Sequence, residues 1–342
     1  MIKAGSVWIE EHNNDMECGM KSKVKCALIT SFISKTKDRF HEYNETKTLE
    51  ERLELVTHMD GMSGIECIFP YEVNDPKVLT QLLKKYGLEM AAVNVNVKAE
   101  PQFRNGGLTS LDAGIRKEAV QYIKNAKDFA EAVGADKVTC CPLGDGYEFA
   151  FQCDYGQMWK YLIETFSQAG DYKREIPLFI EYKPSETRGR CFIDTATKTL
   201  CLLNDIGIEQ MGITLDYGHS KYGQDNPAEV VAMLAASRFP YYVHINDNNS
   251  KWDWDYMAAS HNYIEYVEFL YYLRKYGYTD YLTSDTSPTR WDIVGTFEAN
   301  TRLTNRIWNK LASIDEEKFE SLISGGNYLE TWKYVETTFF AL

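Results

Sequence analysis

The sequence predicts an α/β protein built as a single (β/α)8 TIM barrel with a helical C-terminal extension. Short runs rich in β-branched and aromatic residues alternate with longer segments of helical period, and eight such units follow one another. No Gly-, Ser- or Pro-rich linker divides the chain. We therefore predict an N-terminal lead over 1–24, a catalytic barrel over 25–290 and the extension over 291–342. A doubly wound open sheet is the alternative, but no G-x-G-x-x-G motif supports it.

The strand candidates are short, and several are nearly continuous apolar runs. Strands of a parallel sheet are covered by helices on both faces, so this composition is what a barrel strand requires. The predicted strands span 25–31, 63–69, 88–95, 136–141, 177–182, 211–216, 241–246 and 280–285.

The helical pattern is clearest over 115–133, where apolar residues recur at steps of three and four, and Gly134 then favours a helix end. The other barrel helices are predicted over 48–60, 76–86, 155–169, 195–206, 228–236 and 262–276. The extension is predicted to form helices over 293–313, 316–324 and 329–340.

Composition excludes several classes of function. The 342 residues are 44% hydrophobic and carry a net charge of -13, with 37 Lys+Arg against 50 Asp+Glu, so we expect no nucleic-acid partner. The N-terminus turns acidic before an apolar segment develops, and no run of about 18 apolar residues occurs, so we expect no membrane association. The 8 cysteines are scattered without a zinc-type pair, which favours reduced thiols and a cytoplasmic location.

Polar side chains follow four consecutive predicted strands. Active sites of barrels form at the C-terminal ends of strands, where three carboxylates would repel one another unless a cation lay between them. A single acidic residue at a strand end is commonly a helix cap, and a single strand histidine is commonly a hydrogen-bonded core residue. Polar residues at four consecutive strand ends favour a divalent-metal site instead. Mn²⁺ is the expected ion, with Mg²⁺ and Co²⁺ as alternatives. The predicted ligands are Glu181, Asp216, His244 and Asp285.

A second group of residues adjoins this cluster. His219, Asp253 and Asp255 are candidates for a second ion or a metal-bound water. Lys183 alternates with Glu181 along the strand and so points the same way, where it would polarise a substrate oxygen; the alternative is an ion pair with Glu181 or Glu186. The candidates for the catalytic base are Glu181, Lys183, His219 and Asp285.

The loop after the fourth strand offers groups that hydrogen-bond ligand hydroxyls, although packing over the barrel end explains it equally well. Adjacent Cys140 and Cys141 are expected to be buried small side chains rather than nucleophiles, because no histidine can be placed beside them. Trp252, Trp254 and Trp291 are candidates for stacking on the flat face of a ligand. The predicted substrate-binding residues are Asp145, Tyr147, Gln152, Asn246 and Trp252.

The blocks I-E-Y-K-P, L-D-Y-G-H and V-H-I-N-D-N, in this order, resemble the xylose-isomerase-like TIM barrels of sugar isomerases and epimerases, most closely the L-rhamnose isomerase branch. The resemblance covers about residues 25–290. It implies that the four strand-end residues bind one metal, that Lys183 contacts sugar oxygens, and that His219, Asp253 and Asp255 serve a second metal or its water. Asp285 stands where the epimerases typically have glutamate, which agrees better with an isomerase.

The sequence therefore predicts a metal-dependent sugar isomerase that interconverts aldose and ketose or epimerises a carbon next to a carbonyl. Hydride shift and enediol routes both remain open. The alternative is the larger subunit of a C-glycoside deglycosidase, a lyase that removes a proton next to a keto group and eliminates the aglycone. The expected partners are a sugar or glycoside and further copies of this chain, with a small second subunit in the lyase case.

Overall fold

The computed structural model describes residues 24–340, and its central feature is a closed barrel of parallel strands. The strands are β1 (Cys26–Ile29), β2 (Met62–Phe69), β3 (Glu89–Val95), β4 (Val138–Cys140), β5 (Leu178–Glu181), β6 (Gly212–Asp216), β7 (Tyr241–Ile245) and β8 (Leu282–Ser284). They follow chain order around the barrel, and β1 closes it by pairing with both β2 and β8. Each predicted strand range overlaps one of them, which confirms the (β/α)8 fold.

Helices surround the barrel and begin at recognisable capping residues. Thr48 and Glu51 form a capping box at α1, and Asp75 and Asp112 accept backbone N–H bonds at the starts of α2 and α3. Gly134 ends α3 in the left-handed conformation with φ 78°, as the sequence predicted. The helices up to β8 are α1 (Leu49–Thr57), α2 (Pro76–Tyr86), α3 (Ala113–Val133), α4 (Tyr155–Asp171), α5 (Ala196–Ile206), α6 (Tyr217–Tyr222), α7 (Pro227–Ala235) and α8 (Tyr263–Lys275).

The C-terminal part is helical, as predicted: α9 (Ile293–Leu311), α10 (Glu316–Ser324), α11 (Tyr328–Val335) and a final π-helical turn (Glu336–Phe340). Tyr266 on α8 hydrogen-bonds Thr304 on α9 at 2.9 Å, so α9 occupies the place of the eighth barrel helix. The domain boundaries stay predictions, and the predicted lead lies outside the described residues except for Val24.

The N-terminal half of the barrel interior is filled by aromatic side chains packed against small residues. A Cβ on Gly212 would lie 2.5 Å from the Phe179 ring, and one on Gly64 would lie 2.6 Å from the Tyr281 ring. These glycines leave the room that the rings occupy. Because the lower barrel is sealed in this way, access to the interior is from the C-terminal ends of the strands.

Short elements escaped sequence-based prediction. They include two antiparallel pairs of two-residue strands, Thr36–Lys37 with Glu42–Tyr43 and Gly146–Tyr147 with Arg190–Cys191, and the six-residue helix α6. Such elements are too short to show a hydrophobic period. Within residues 24–340, no helix is both long and apolar enough to cross a membrane.

Candidate active site

Four side chains meet at the C-terminal ends of β5 to β8. Glu181, Asp216, His244 and Asp285 each offer a ligand atom, and all four atoms lie within 4.8 Å of one another. The register pairs Asp216 directly with His244. His244 Nδ1 lies 3.5 Å from Glu181 Oε1, 3.6 Å from Asp285 Oδ2 and 4.0 Å from Asp216 Oδ2. The structure thus brings together the four residues that the sequence singled out as metal ligands.

The donor set fits a divalent cation. His244 Nδ1 is buried and has no hydrogen-bond partner among the described residues, although three carboxylates surround it. Burial opposes the imidazolium form, but Glu66 and Glu181 outweigh it and raise the pKa of His244 well above its usual range. The surroundings therefore favour positive charge between the carboxylates, and a divalent metal ion would supply it, with Glu181, Asp216, His244 and Asp285 as the residues that would hold it.

Glu66 on β2 orients His244 through the ring nitrogen that faces away from the cluster, a role that the sequence analysis did not predict. Its carboxylate is fully buried and accepts a hydrogen bond at 3.0 Å from His244 Nε2. Asn94 Nδ2 and Thr139 Oγ1 each donate to Glu66 Oε1 at 2.9 Å, and the Tyr242 hydroxyl donates to Oε2 at 3.1 Å. A proton held on Nε2 leaves the Nδ1 lone pair directed at the cluster, which is the usual role of a carboxylate behind a metal-ligating histidine.

Asp216 serves both the cluster and the helix that follows it. Its Oδ1 accepts the backbone N–H of His219 at 2.7 Å, and Asn246 Nδ2 donates to Oδ2 at 3.1 Å. Burial raises the pKa of Asp216 to about 7, with Asp285 adding to the effect. Burial also acts on Glu181, but the charge of His244 outweighs it and lowers the pKa of Glu181 to about 2.

His219, Asp253 and Lys183 form a second group in contact with the first. Lys183 Nζ lies 2.8 Å from Asp253 Oδ2 and 2.7 Å from Glu186 Oε2, so the predicted pairing with Glu186 is present. His219 Nε2 lies 3.1 Å from Asp253 Oδ2, while its Nδ1 lies 3.3 Å from Glu181 Oε1. The Lys183 ammonium thus neutralises the carboxylate that was predicted to serve a second ion.

A cavity of about 180 Å³ opens above both groups. One side is polar, with Glu181, Lys183 and Asp285, and the other is apolar, with Ile29 and Phe32. This volume lies below the ~300–1,000 Å³ typical of pockets for drug-sized ligands, so the cavity suits a small molecule such as a monosaccharide. Its full lining is Ile29, Ser31, Phe32, Ile68, Asn94, Lys98, Cys141, Leu143, Glu181, Lys183, His219, Asp253, Asp255 and Asp285.

The predicted substrate-binding residues lie outside this lining. Asp145 is buried and accepts the backbone N–H and the hydroxyl of Thr109, both at 2.6 Å. Gln152 bonds the backbone and side chain of Glu148 in an exposed loop, and Tyr147 packs on Phe192.

Asn246 lies behind Asp216, and Trp252 packs on Tyr222 with ring centroids 6.0 Å apart. The substrate-binding roles of these residues stay predictions. Both Cys140 and Cys141 are buried, as expected, and burial raises their thiol pKa values.

The fold and the strand-end cluster define the class of this protein as a TIM barrel with a candidate metal centre at its catalytic face. A family model described as xylose isomerase-like TIM barrel matches residues 53–302, and the chain belongs to that family. The xylose isomerase of Thermus thermophilus is 23% identical over 186 residues, which are 53% of this chain and 48% of that protein. The chain thus aligns with about half the length of this curated relative.

Solved structures share the fold at low identity. A D-tagatose 3-epimerase-like protein superposes with a TM-score of 0.64 and 21% identity, covering 86% of this chain and 99% of that chain. The 3-keto-D-glucoside 4-epimerase of E. coli superposes with a TM-score of 0.63 and 16% identity, covering 83% of this chain and 99% of that chain. An L-ribulose 3-epimerase superposes with a TM-score of 0.60 and 16% identity, covering 85% of this chain and 99% of that chain. Similar proteins are therefore sugar isomerases and epimerases, and this chain has their fold.

Proposed function

We propose that this protein is a divalent-metal-dependent sugar isomerase, which interconverts aldose and ketose or epimerises the carbon next to a carbonyl. The observation that carries the proposal is the cluster of three carboxylates around the unpartnered Nδ1 of His244, at the mouth of a cavity of monosaccharide size. The matches to sugar isomerases and epimerases support the same class of substrate. Mn²⁺ is the ion we expect, held by Glu181, Asp216, His244 and Asp285.

Each part of the site has a role in this proposal. A divalent ion bound there would polarise the carbonyl of a sugar and make the neighbouring C–H bond more acidic. Lys183, held as a cation by Asp253 and Glu186, donates a hydrogen bond to a sugar oxygen and stabilises charge that develops on it. His219 fixes Asp253 from the other side, which keeps the ammonium group directed at the cavity.

Glu181 and Asp285 are the residues we propose as proton carriers. Of the four cluster residues, these two line the cavity and therefore reach the substrate, whereas Asp216 and His244 lie behind them. A carbon placed between the two carboxylates would lose a proton to one and regain it from the other, which is epimerisation. The shorter Asp285 side chain favours the alternative in which Glu181 alone moves the proton, which is aldose–ketose isomerisation.

The experiment is a proton NMR assay in D2O against a panel of free aldoses and ketoses, beginning with L-rhamnose, with Mn²⁺ or with EDTA. We expect conversion of a sugar that stops with EDTA and resumes when Mn²⁺ is added. Solvent deuterium in the product would indicate proton transfer, and its absence would indicate hydride shift. Conversion that EDTA leaves unchanged would contradict the proposal.

A second candidate is the lyase activity of a C-glycoside deglycosidase subunit. It is favoured by Trp252 and Trp254, which are 40% and 48% exposed on the loop that carries Asp253 into the cavity. An aglycone too large for the cavity would lie against these rings at the rim. Release of the aglycone from a 3-keto C-glycoside, with no turnover of free sugars, would select this candidate and predict a small partner subunit.

A further inference from the structure

Lys98 lines the cavity and differs in its surroundings from the other lysine there. Lys183 is held by two carboxylates at 2.7 and 2.8 Å. The ion pairs among residues 24–340 include none to Lys98, although it contributes to the cavity wall beside Asn94. Lys98 is half-buried beside the cavity, where its charge helps to lower the pKa of Glu181 without forming an ion pair with it.

The backbone at Lys98 is fixed by the turn that follows β3. Asn96 Oδ1 accepts the backbone N–H groups of Lys98 and Ala99, both at 2.9 Å. The N–H of Asn96 in turn donates to the carbonyl of Phe69 at 3.1 Å. The lysine therefore projects from an anchored turn, which limits the entropy lost when its side chain binds a ligand.

The position of Lys98 sets it apart from the metal cluster. The cluster residues come from the ends of β5 to β8, whereas Lys98 follows β3, and its neighbours Ile68 and Asn94 come from β2 and β3. Because strand order follows chain order around the barrel, these two groups line different sectors of the mouth. A small sugar held at the cluster would extend its far end toward Lys98.

We propose that Lys98 binds a carboxylate at the far end of the substrate, so that the preferred substrates are sugar acids rather than neutral sugars. This inference rests on the proposed function, because it specifies which class of sugar the same site binds. A half-buried ammonium group that makes no ion pair gains from an anionic oxygen, because charge-assisted hydrogen bonds are about twice as strong as neutral ones. Of the two lysines in the lining, Lys183 is already paired with Glu186 and Asp253, which leaves Lys98 to bind the carboxylate of the substrate.

The test is calorimetric titration of the Mn²⁺-loaded protein with gluconate and with sorbitol, which differ only in whether the terminal group is a carboxylate or a hydroxymethyl. We expect gluconate to bind about tenfold or more tightly than sorbitol, as a charged hydrogen bond predicts. Lys98→Met should abolish the difference and Lys98→Arg should keep most of it. Lys77→Met, which removes an exposed lysine on α2, is the control and should leave it unchanged.

Two results would overturn the inference: equal binding of gluconate and sorbitol by the wild-type protein, or a preference for gluconate that survives in Lys98→Met. The second result would mean that gluconate is selected by the metal cluster itself. The binding test does not depend on turnover, so its outcome is separate from that of the isomerase proposal. Loss of the preference in Lys98→Met, with neither a neutral sugar nor a sugar acid converted, would support the anionic subsite and refute the isomerase.

Discussion

Replacing Glu66 with glutamine should weaken metal binding although Glu66 is not a ligand. In the wild type, the side chains of Asn94 and Thr139 donate to Oε1, whereas Tyr242 and His244 donate to Oε2, so all four neighbours act as donors. A glutamine amide has one accepting oxygen and one donating nitrogen. In one orientation its NH2 group opposes the donors Asn94 and Thr139.

In the other orientation the amide NH2 faces His244 Nε2, which must then become an acceptor. The imidazole proton moves to Nδ1, the atom that faces Glu181, Asp216 and Asp285, and the lone pair needed by the metal is lost. Loss of such an orienting carboxylate typically lowers metal affinity by about 10- to 100-fold, or roughly 1.4–2.7 kcal/mol. We expect a change of this size in the Mn²⁺ dissociation constant of Glu66→Gln.

Isothermal titration with Mn²⁺ measures the effect, and thermal unfolding without metal reports whether the variant is folded. Tyr242→Phe is the matched control: it removes a hydroxyl donor from the same oxygen but leaves the Nε2–H of His244 paired. Its Mn²⁺ affinity should stay within about threefold of the wild type, since the ligand itself is untouched. A folded Glu66→Gln protein that binds Mn²⁺ as tightly as the wild type would refute the reasoning.

Further variants and conditions test other parts of the account. Asp216→Ala and His244→Ala should each abolish Mn²⁺ binding and sugar turnover while circular dichroism shows an intact fold; full turnover in either would remove the metal assignment. Lys183→Met should lower kcat by about 10²- to 10³-fold with little change in KM, as expected for a hydrogen-bond donor that stabilises charge in the transition state; an effect on KM alone would make it a binding residue. Mn²⁺ at about 100 times its dissociation constant should add about 2.7 kcal/mol to the free energy of unfolding, and EDTA should remove this gain; identical melting curves would contradict a specific site. Burial lowers the pKa of Lys127 to about 8. Above that pH the unfolded chain binds more protons than the folded protein, so the free energy of unfolding should rise between about pH 8 and 10.5, by up to about 3 kcal/mol. Denaturant titrations of Lys127→Met should lack this rise, and an equal rise in both proteins would contradict the assignment.

The barrel was predictable because each strand and helix carries its own local signal. Residues 115–133 show a helical period and a terminal glycine, and the structure has a helix there over Ala113–Val133. The metal cluster was predictable for a related reason: parallel strands of a closed barrel end at one face, so polar residues at four successive ends must meet. The strand register follows this rule, because it pairs Asp216 directly with His244.

Residues whose roles depend on distant partners were not predictable. Glu66 lies inside the apolar run G-I-E-C-I-F, and its partner His244 is 178 positions away in the chain. Lys98 is a loop residue with no local pattern, and only the folded barrel shows that it lines the cavity. Asp145 accepts hydrogen bonds from the N–H and hydroxyl of Thr109, a contact 36 positions away that its loop sequence did not indicate, and its substrate-binding role stays a prediction.

The proposed function depends on a metal ion that is bound at the strand-end cluster and holds the sugar. Anomalous diffraction at the manganese edge, from crystals soaked with Mn²⁺ and with a sugar that the protein converts, tests it most directly. We expect one manganese ion ligated by Glu181, Asp216, His244 Nδ1 and Asp285, with sugar oxygens completing its coordination. A crystal of active protein with no manganese at this cluster, or with the sugar bound elsewhere, would contradict it.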